Sequence, residues 1–116
     1  LQLFLDSENN LEHHNAYLSD LSVKNILTVD PDYTRTIFID LDSVHLDHAY
    51  GAPERLKNHI QLYDSFCDLW DDTILAPFIA RMTPADIDVT HWLSRVKNGQ
   101  AERRARQEAR WKKQGL

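Results

Sequence analysis

Residues 34–46 are the segment of the chain most prone to form a strand, and two carboxylates, Asp40 and Asp42, lie near its end. Side chains alternate along a strand, so both carboxylates would share one of its faces. A pair of this kind can hold Mg²⁺ or set a nucleophile beside a proton donor. His45, Asp47 and His48 follow directly and add further nitrogen and oxygen ligands. The spacing therefore allows a magnesium-dependent site or a metal centre in this segment.

The run that ends in Asp40 and Asp42 resembles the first motif of haloacid-dehalogenase-type phosphatases, a hydrophobic strand followed by Asp-x-Asp-Gly. The resemblance implies that Asp40 is the nucleophile and Asp42 the general acid. The pair is also similar to the Asp-x-Asp of primase-type polymerases. Ser43 stands where the phosphatases keep Gly, and 116 residues leave no room for the sheet that both families use. We therefore expect no catalytic residue, metal or cofactor, and keep a Mg²⁺-dependent phosphatase-like or nucleotidyl-transfer fragment as an alternative.

A second pattern is a row of cations near the C-terminus. Arg103, Arg106, Arg110 and Lys113 recur at i, i+3, i+7 and i+10, which predicts one stripe on a helix. This basic stripe is accompanied by Trp111, a candidate anchor for a partner. Residues 91–116 hold eight Lys/Arg and two Asp/Glu, a net charge of +6, whereas residues 1–90 hold five and 16, a net charge of −11. Such a split is typical of an interaction tail.

These charges favour a non-catalytic interaction or assembly module, whose basic C-terminal helix docks on the acidic surface of a protein partner or of a multi-component assembly. The first alternative is a nucleic-acid-binding domain that uses the same stripe, because contacts to phosphates give salt-sensitive, sequence-independent binding. A third possibility is structural, with the tail folded back onto the acidic body of its own chain.

The rest of the composition indicates the cellular compartment in which we expect the protein. A single cysteine, Cys67, excludes an intrachain disulfide and favours a reducing compartment. Its apolar neighbours predict a thiol used in packing rather than in chemistry. We expect no signal peptide at the N-terminus and no apolar run of the roughly 18 to 20 residues that span a bilayer. We therefore predict a soluble, intracellular, cytoplasmic protein.

The elements that would carry these residues are mainly helical. The pattern predicts a small bundle of four to five helices, with at most one short β-hairpin or extended segment around residues 34–46 and with residues 1–5 as its obvious partner strand. Ser7 would cap a first helix whose apolar spacing continues to Leu27. A second helix, the most amphipathic, would start at Pro53 and bend or stop before Pro77.

The C-terminal third contains the clearest helix signals. Thr83 and Pro84 predict a helix start, and Gly99 predicts its end through a left-handed cap. A final basic helix would run from about residue 100 to residue 113. We accordingly divide the chain into an acidic, mostly helical globular domain at residues 1–99 and a basic C-terminal helix or tail at residues 100–116.

Overall fold

The computed structural model describes residues 2–19, 26–29, 35–38 and 44–115. This part of the chain is mainly helical, which confirms the predicted fold class. Its helices are α1 (Gln2–His13), α2 (Ala52–Phe66), α3 (Asp72–Ala80) and α4 (Val89–Lys113). Its strands are short: β1 (Tyr17–Leu18), β2 (Ile26–Val29), β3 (Arg35–Phe38) and β4 (Val44–His45).

The strands form two antiparallel pairs. β2 pairs with β3, so that Ile26 lies opposite Phe38, and β1 pairs with β4, so that Tyr17 lies opposite His45. The predicted extended segment thus contributes β3 and β4. Its partners are β1 and β2, not residues 1–5, because residues 2–5 belong to α1. The structure therefore contains two short pairs where we expected at most one hairpin.

The first helix is shorter and starts earlier than predicted. Ser7 lies inside α1 rather than at its cap, and the helix ends at His13 instead of continuing to Leu27. The chain turns at Asn15, whose φ of 51° is a left-handed conformation that Asn tolerates better than most residues. The amide of Ala16 then donates to the carbonyl of Leu11 at 2.9 Å. This turn directs the chain into β1.

Two prolines in the middle of the chain, Pro53 and Pro77, occupy different positions within their helices. Pro53 lies in the first turn of α2, as predicted, where a missing N–H costs nothing. Pro77, predicted to break a helix, lies inside α3. α2 has already ended at Phe66, and Asp71 starts α3 by accepting a hydrogen bond from the amide of Thr73 at 3.3 Å. Pro77 therefore removes one hydrogen bond from a short helix that its buried side chains hold in place.

The last helix departs from both predicted boundaries. Asp88, not Thr83, is the N-cap of α4, and its carboxylate accepts from the amide of His91 at 2.9 Å. Pro84 instead opens a turn that the amide of Ile87 closes. Gly99 does not end a helix, since α4 runs through it for 25 residues, about 37 Å. No break separates the predicted domain at residues 1–99 from the basic stretch that follows.

Gly99 has a packing role instead. A Cβ atom at this position would lie 2.3 Å from Cδ1 of Ile60 on α2, closer than two carbon atoms can approach. The two helices therefore come together where α4 has no side chain. The core forms beside this contact, between α2, α3 and α4, from Leu62, Leu75, Ile79, Met82, Trp92 and Val96.

The contact between Gly99 and Ile60 predicts that the change Gly99→Ala alters stability in opposite directions with and without the Ile60 side chain. Gly99→Ala alone should destabilise the protein, because the clash with Ile60 costs more than the roughly 1 kcal/mol that Ala gains over Gly in a helix. In an Ile60→Ala background the clash disappears, and the same change should stabilise by about 0.5–1 kcal/mol. Urea denaturation of the four proteins measures both values. Equal effects in the two backgrounds would show that Gly99 is not a packing glycine.

Candidate functional site

A buried polar network ties α1 to α2. Glu8 has no exposed surface, and its carboxylate accepts from the guanidinium of Arg55 at 3.0 Å and from the hydroxyl of Tyr50 at 2.9 Å. Arg55 is also buried, and its other nitrogen donates to Asn9 and Glu12 at the surface, at 3.3 Å each. A buried carboxylate is tolerated only when it is paired and hydrogen-bonded, and both conditions hold here.

The network continues to α4 through a histidine whose tautomer is fixed. The indole N–H of Trp92 donates to Nδ1 of His59 at 2.9 Å, and an indole nitrogen can only donate. Nδ1 of His59 is therefore unprotonated, and its Nε2–H points at both carboxylate oxygens of Glu8, at 3.1 Å. A neutral imidazole thus connects α1 with α4. Both rings are fully buried, so the pair is closed to any substrate.

The hydroxyl of Tyr50 lies between two acceptors. It is 2.9 Å from Oε2 of Glu8 and 2.9 Å from Oδ1 of Asn58, although a phenol has one proton to donate. Burial, and then the neighbouring carboxylate of Glu8, raise the pKa of Tyr50, so the phenol keeps this proton. Asn58 donates in turn to Gln61, which donates to the carbonyl of Ser19. This branch fastens the segment after β1 to α2.

A second set of ionic contacts joins α4 to the end of α2. Arg103, a member of the predicted stripe, lies 3.1 Å from the carboxylate of Asp64. Arg104, which the stripe did not include, contacts Asp64 at 2.9 Å and Asp68 at 2.7 Å. Its hydrogen bonds hold the pKa of Asp68 below the ordinary value. At these two arginines, the basic part of α4 therefore packs against acidic residues of its own chain.

The rest of the predicted stripe lies free of such contacts. Residues 105–113, which we call distal α4, extend for about 13 Å. Arg106, Arg110 and Lys113 are exposed there, and none has a hydrogen bond or an ion pair within the described part of the chain. The structure thus divides the predicted stripe into one residue that is paired within the chain, Arg103, and three that are exposed and unpaired there.

Trp111 is half-exposed but does not stand beside those three cations. Successive helical residues are about 100° apart, which places Trp111 about 100° or more from Arg106, Arg110 and Lys113. It lines a shallow hollow of about 250 Å³ with Asp68, Arg104 and Glu108. Its exposed fraction of 51% leaves the ring accessible, on a face of α4 that differs from that of the three cations.

The predicted metal and catalytic residues fall into two groups. Asp40 and Asp42 lie outside the described residues, so the enzyme alternative stays a prediction. His45, Asp47 and His48 are exposed, and the two histidines stack on the ring of Tyr17, at 5.7 and 4.9 Å between centroids. Among the described residues no group of three His, Cys, Asp or Glu is arranged to hold a metal ion.

Cys67 is partly buried at the end of α2, in contact with Arg104 at 3.2 Å. Burial raises the pKa of its thiol, although the guanidinium acts in the opposite direction. A raised pKa keeps the group as a thiol, which is a poor nucleophile. The position is consistent with the packing role that its apolar neighbours predicted.

Comparisons with known proteins add nothing to this geometry. No family model, no curated protein and no solved structure matches the chain. Among the described residues, no helix is both long and apolar enough to cross a membrane.

Sequence reasoning missed the buried network, although a signal for it was present. Arg55, His59 and Leu62 recur at helical spacing on the face of α2 that enters the interior. Polar residues at such positions require buried partners, and α1 offers three acids, Asp6, Glu8 and Glu12. The partner itself could not be identified, because 47 residues separate Glu8 from Arg55 along the chain.

A third cluster joins α2, α3 and α4. The carboxylate of Asp72 accepts from the hydroxyl of Tyr63 and from the ammonium of Lys97, both at 2.8 Å. The hydrogen bond from Lys97, followed by that from Tyr63, lowers the pKa of Asp72. Partial burial and the carboxylate of Asp72 raise the pKa of Tyr63 to about 12.

The buried carboxylate should dominate stability. Replacing Glu8 by Ala leaves Arg55 buried without its main counter-charge, and we expect a cost of about 3–5 kcal/mol. Glu12→Ala removes the exposed partner of the same arginine from the same helix, and should cost less than about 1 kcal/mol. Chemical denaturation measures both. Equal costs would contradict the central role of Glu8.

The raised pKa of Tyr63 predicts an alkaline loss of stability. The folded protein keeps the phenolic proton up to a pKa of about 12, whereas the unfolded chain loses it near 10, so the stabilisation is complete below pH 10 and disappears as the pH rises to about 12. The difference in unfolding free energy between wild type and Tyr63→Phe should therefore shrink over this interval. Asp72→Asn should reduce the effect, because the carboxylate contributes to the shift. A difference that is constant with pH would refute this assignment.

Proposed function

We propose that the protein is a non-catalytic docking module that binds the acidic surface of a protein partner through distal α4. One observation carries the proposal: Arg106, Arg110 and Lys113 lie on one exposed face of a helix that extends past its contacts with Asp64 and Asp68. These three cations have no carboxylate partner in the described part of the chain, although its acids pair with four other cations, Arg55, Lys97, Arg103 and Arg104.

The helix is well supported for this role. Arg103 and Arg104 fix the middle of α4 to the end of α2, and Trp92 fixes its first half to the buried network. A rigid support lowers the entropic cost of ordering the helix when a partner binds. The acidic remainder of the chain opposes binding of nucleic acid everywhere except along α4, which favours a protein partner.

The test uses the intact protein and two polyanions, labelled poly-L-glutamate and a short DNA duplex. Poly-L-glutamate should bind at low salt and weaken as salt increases, because exposed ion pairs are screened. Arg106→Glu with Arg110→Glu should weaken binding by at least about tenfold. The matched control reverses two exposed arginines elsewhere, Arg81→Glu with Arg95→Glu, and should have a much smaller effect.

The outcomes separate the proposal from its alternative. Equal losses in the two double variants would show that binding follows net charge alone, and would overturn the role of distal α4. Tighter binding of the duplex than of poly-L-glutamate at the same salt would assign the stripe to nucleic acid. Failure of both probes to bind would leave the stripe a solvated face and refute the docking function.

A further inference from the structure

A groove lies between α2 and α4 beside their closest contact. Its volume is about 310 Å³, and its apolar floor consists of Pro53, Leu56 and Ile60. Leu56 and Ile60 are only partly buried against the core, so their outer surfaces line the groove. We call this feature the α2–α4 groove. It exists because Gly99 contributes no side chain at this level of α4.

The rim of the groove is positively charged. Lys57 stands on the α2 side, and Arg103 and Arg106 stand on the α4 side. Glu102 is the one acidic residue that lines it, which leaves a net charge of +2 around an apolar floor. Arg103 is held by Asp64, whereas Arg106 is exposed and without an ion pair among the described residues. Lys57 is exposed as well, and its ammonium lies 5.7 Å from the centroid of the Tyr17 ring.

The groove is continuous with the basic stripe. Trp92, Gly99 and Arg106 follow one another at intervals of seven residues, about two helical turns, and therefore lie on nearly the same face of α4. That face packs against α2 at Trp92 and Gly99, and it becomes the wall of the groove at Arg106. Arg110 continues the same face beyond the groove.

The size and chemistry of the groove define what it can accept. About 310 Å³ lies at the lower end of the volumes of ligand pockets, enough for one or two aliphatic side chains. A simple polyanion would pair with the cations of the rim and leave the apolar floor exposed to water. An aliphatic side chain flanked by carboxylates would cover the floor and pair with the rim at once.

We infer that the α2–α4 groove anchors an acidic amphipathic segment of the partner, with an aliphatic side chain on Leu56 and Ile60 and carboxylates at Lys57 and Arg106. This inference rests on the proposed function, because Arg106 belongs both to the groove and to distal α4. It adds the class of the partner segment and a contact on α2.

The test measures binding of two labelled peptides to the intact protein by fluorescence anisotropy. Both are acidic helices rich in glutamate; one carries two leucines a turn apart, and the other carries alanines in their place. The leucine peptide should bind about tenfold tighter, because each methylene group removed from water contributes to affinity and the groove buries part of each leucine.

Three variants locate the site. Lys57→Glu should weaken the leucine peptide about as much as Arg106→Glu, although Lys57 lies on α2, and both residues are exposed, so the fold should persist. Leu56→Asp should reduce the leucine peptide to the level of the alanine peptide. Its matched control is Ile74→Asp, at an exposed aliphatic residue of α3, which should leave binding unchanged.

The results distinguish binding in the α2–α4 groove from the proposed function, which is binding of an acidic partner by distal α4. Equal affinity of the two peptides, together with no effect of Lys57→Glu, would overturn the groove while leaving distal α4 as a binding surface for acids. Loss of binding on Arg110→Glu but not on Lys57→Glu would do the same. No binding of either peptide or of poly-L-glutamate would refute the proposed function itself.

Discussion

Glu8 is an ionisable side chain placed where water cannot reach it, and the arrangement of three helices follows from that placement. Its carboxylate needs compensating donors, and these come from Tyr50, Arg55 and His59. His59 in turn meets the indole of Trp92 on α4. A displacement of α1, α2 or α4 would leave a buried charge or donor without a partner, at a cost of several kcal/mol. The network therefore ties these three helices to one another through a single buried carboxylate.

The position of α4 then divides its positive charges between two tasks. With Trp92 held by His59 and Gly99 seated on Ile60, the next turn meets the acids at the end of α2, and Arg103 and Arg104 pair with them. Distal α4 lies beyond that contact, so its cations face solvent. The same geometry forms the α2–α4 groove, since the apolar floor on α2 lies beside Arg106, the first exposed arginine on the facing side of α4. The internal fastening of the helix and its proposed docking surface are thus two consequences of one packing arrangement.

The contacts of His45, His48 and Cys67 indicate structural rather than chemical roles. His45 and His48 cover the ring of Tyr17 next to the β1–β4 pair, and Cys67 fills space at the end of α2. Side chains of these types are often catalytic or metal-binding, but their chemistry needs converging partners. Among the described residues, no group of three such ligands converges at these positions, and the thiol of Cys67 contacts the guanidinium of Arg104, which already pairs with Asp64 and Asp68. Their surroundings fit packing and surface roles.

Local sequence determined the features that depend on local energetics. The helical class, the placement of Pro53 in the first turn of α2 and the cationic face at Arg106 and Arg110 follow from propensity, periodicity and charge spacing, which act over a few residues. The sequence alone failed where long-range contacts decide. Gly99 has the signature of a helix end, but Ile60 makes it a point of close approach, and Pro77 remains in a helix because α3 is held in the core. The burial of Glu8 and the pairing of Arg103 with Asp64 depend on residues far apart in the chain, so only the tertiary structure could decide them.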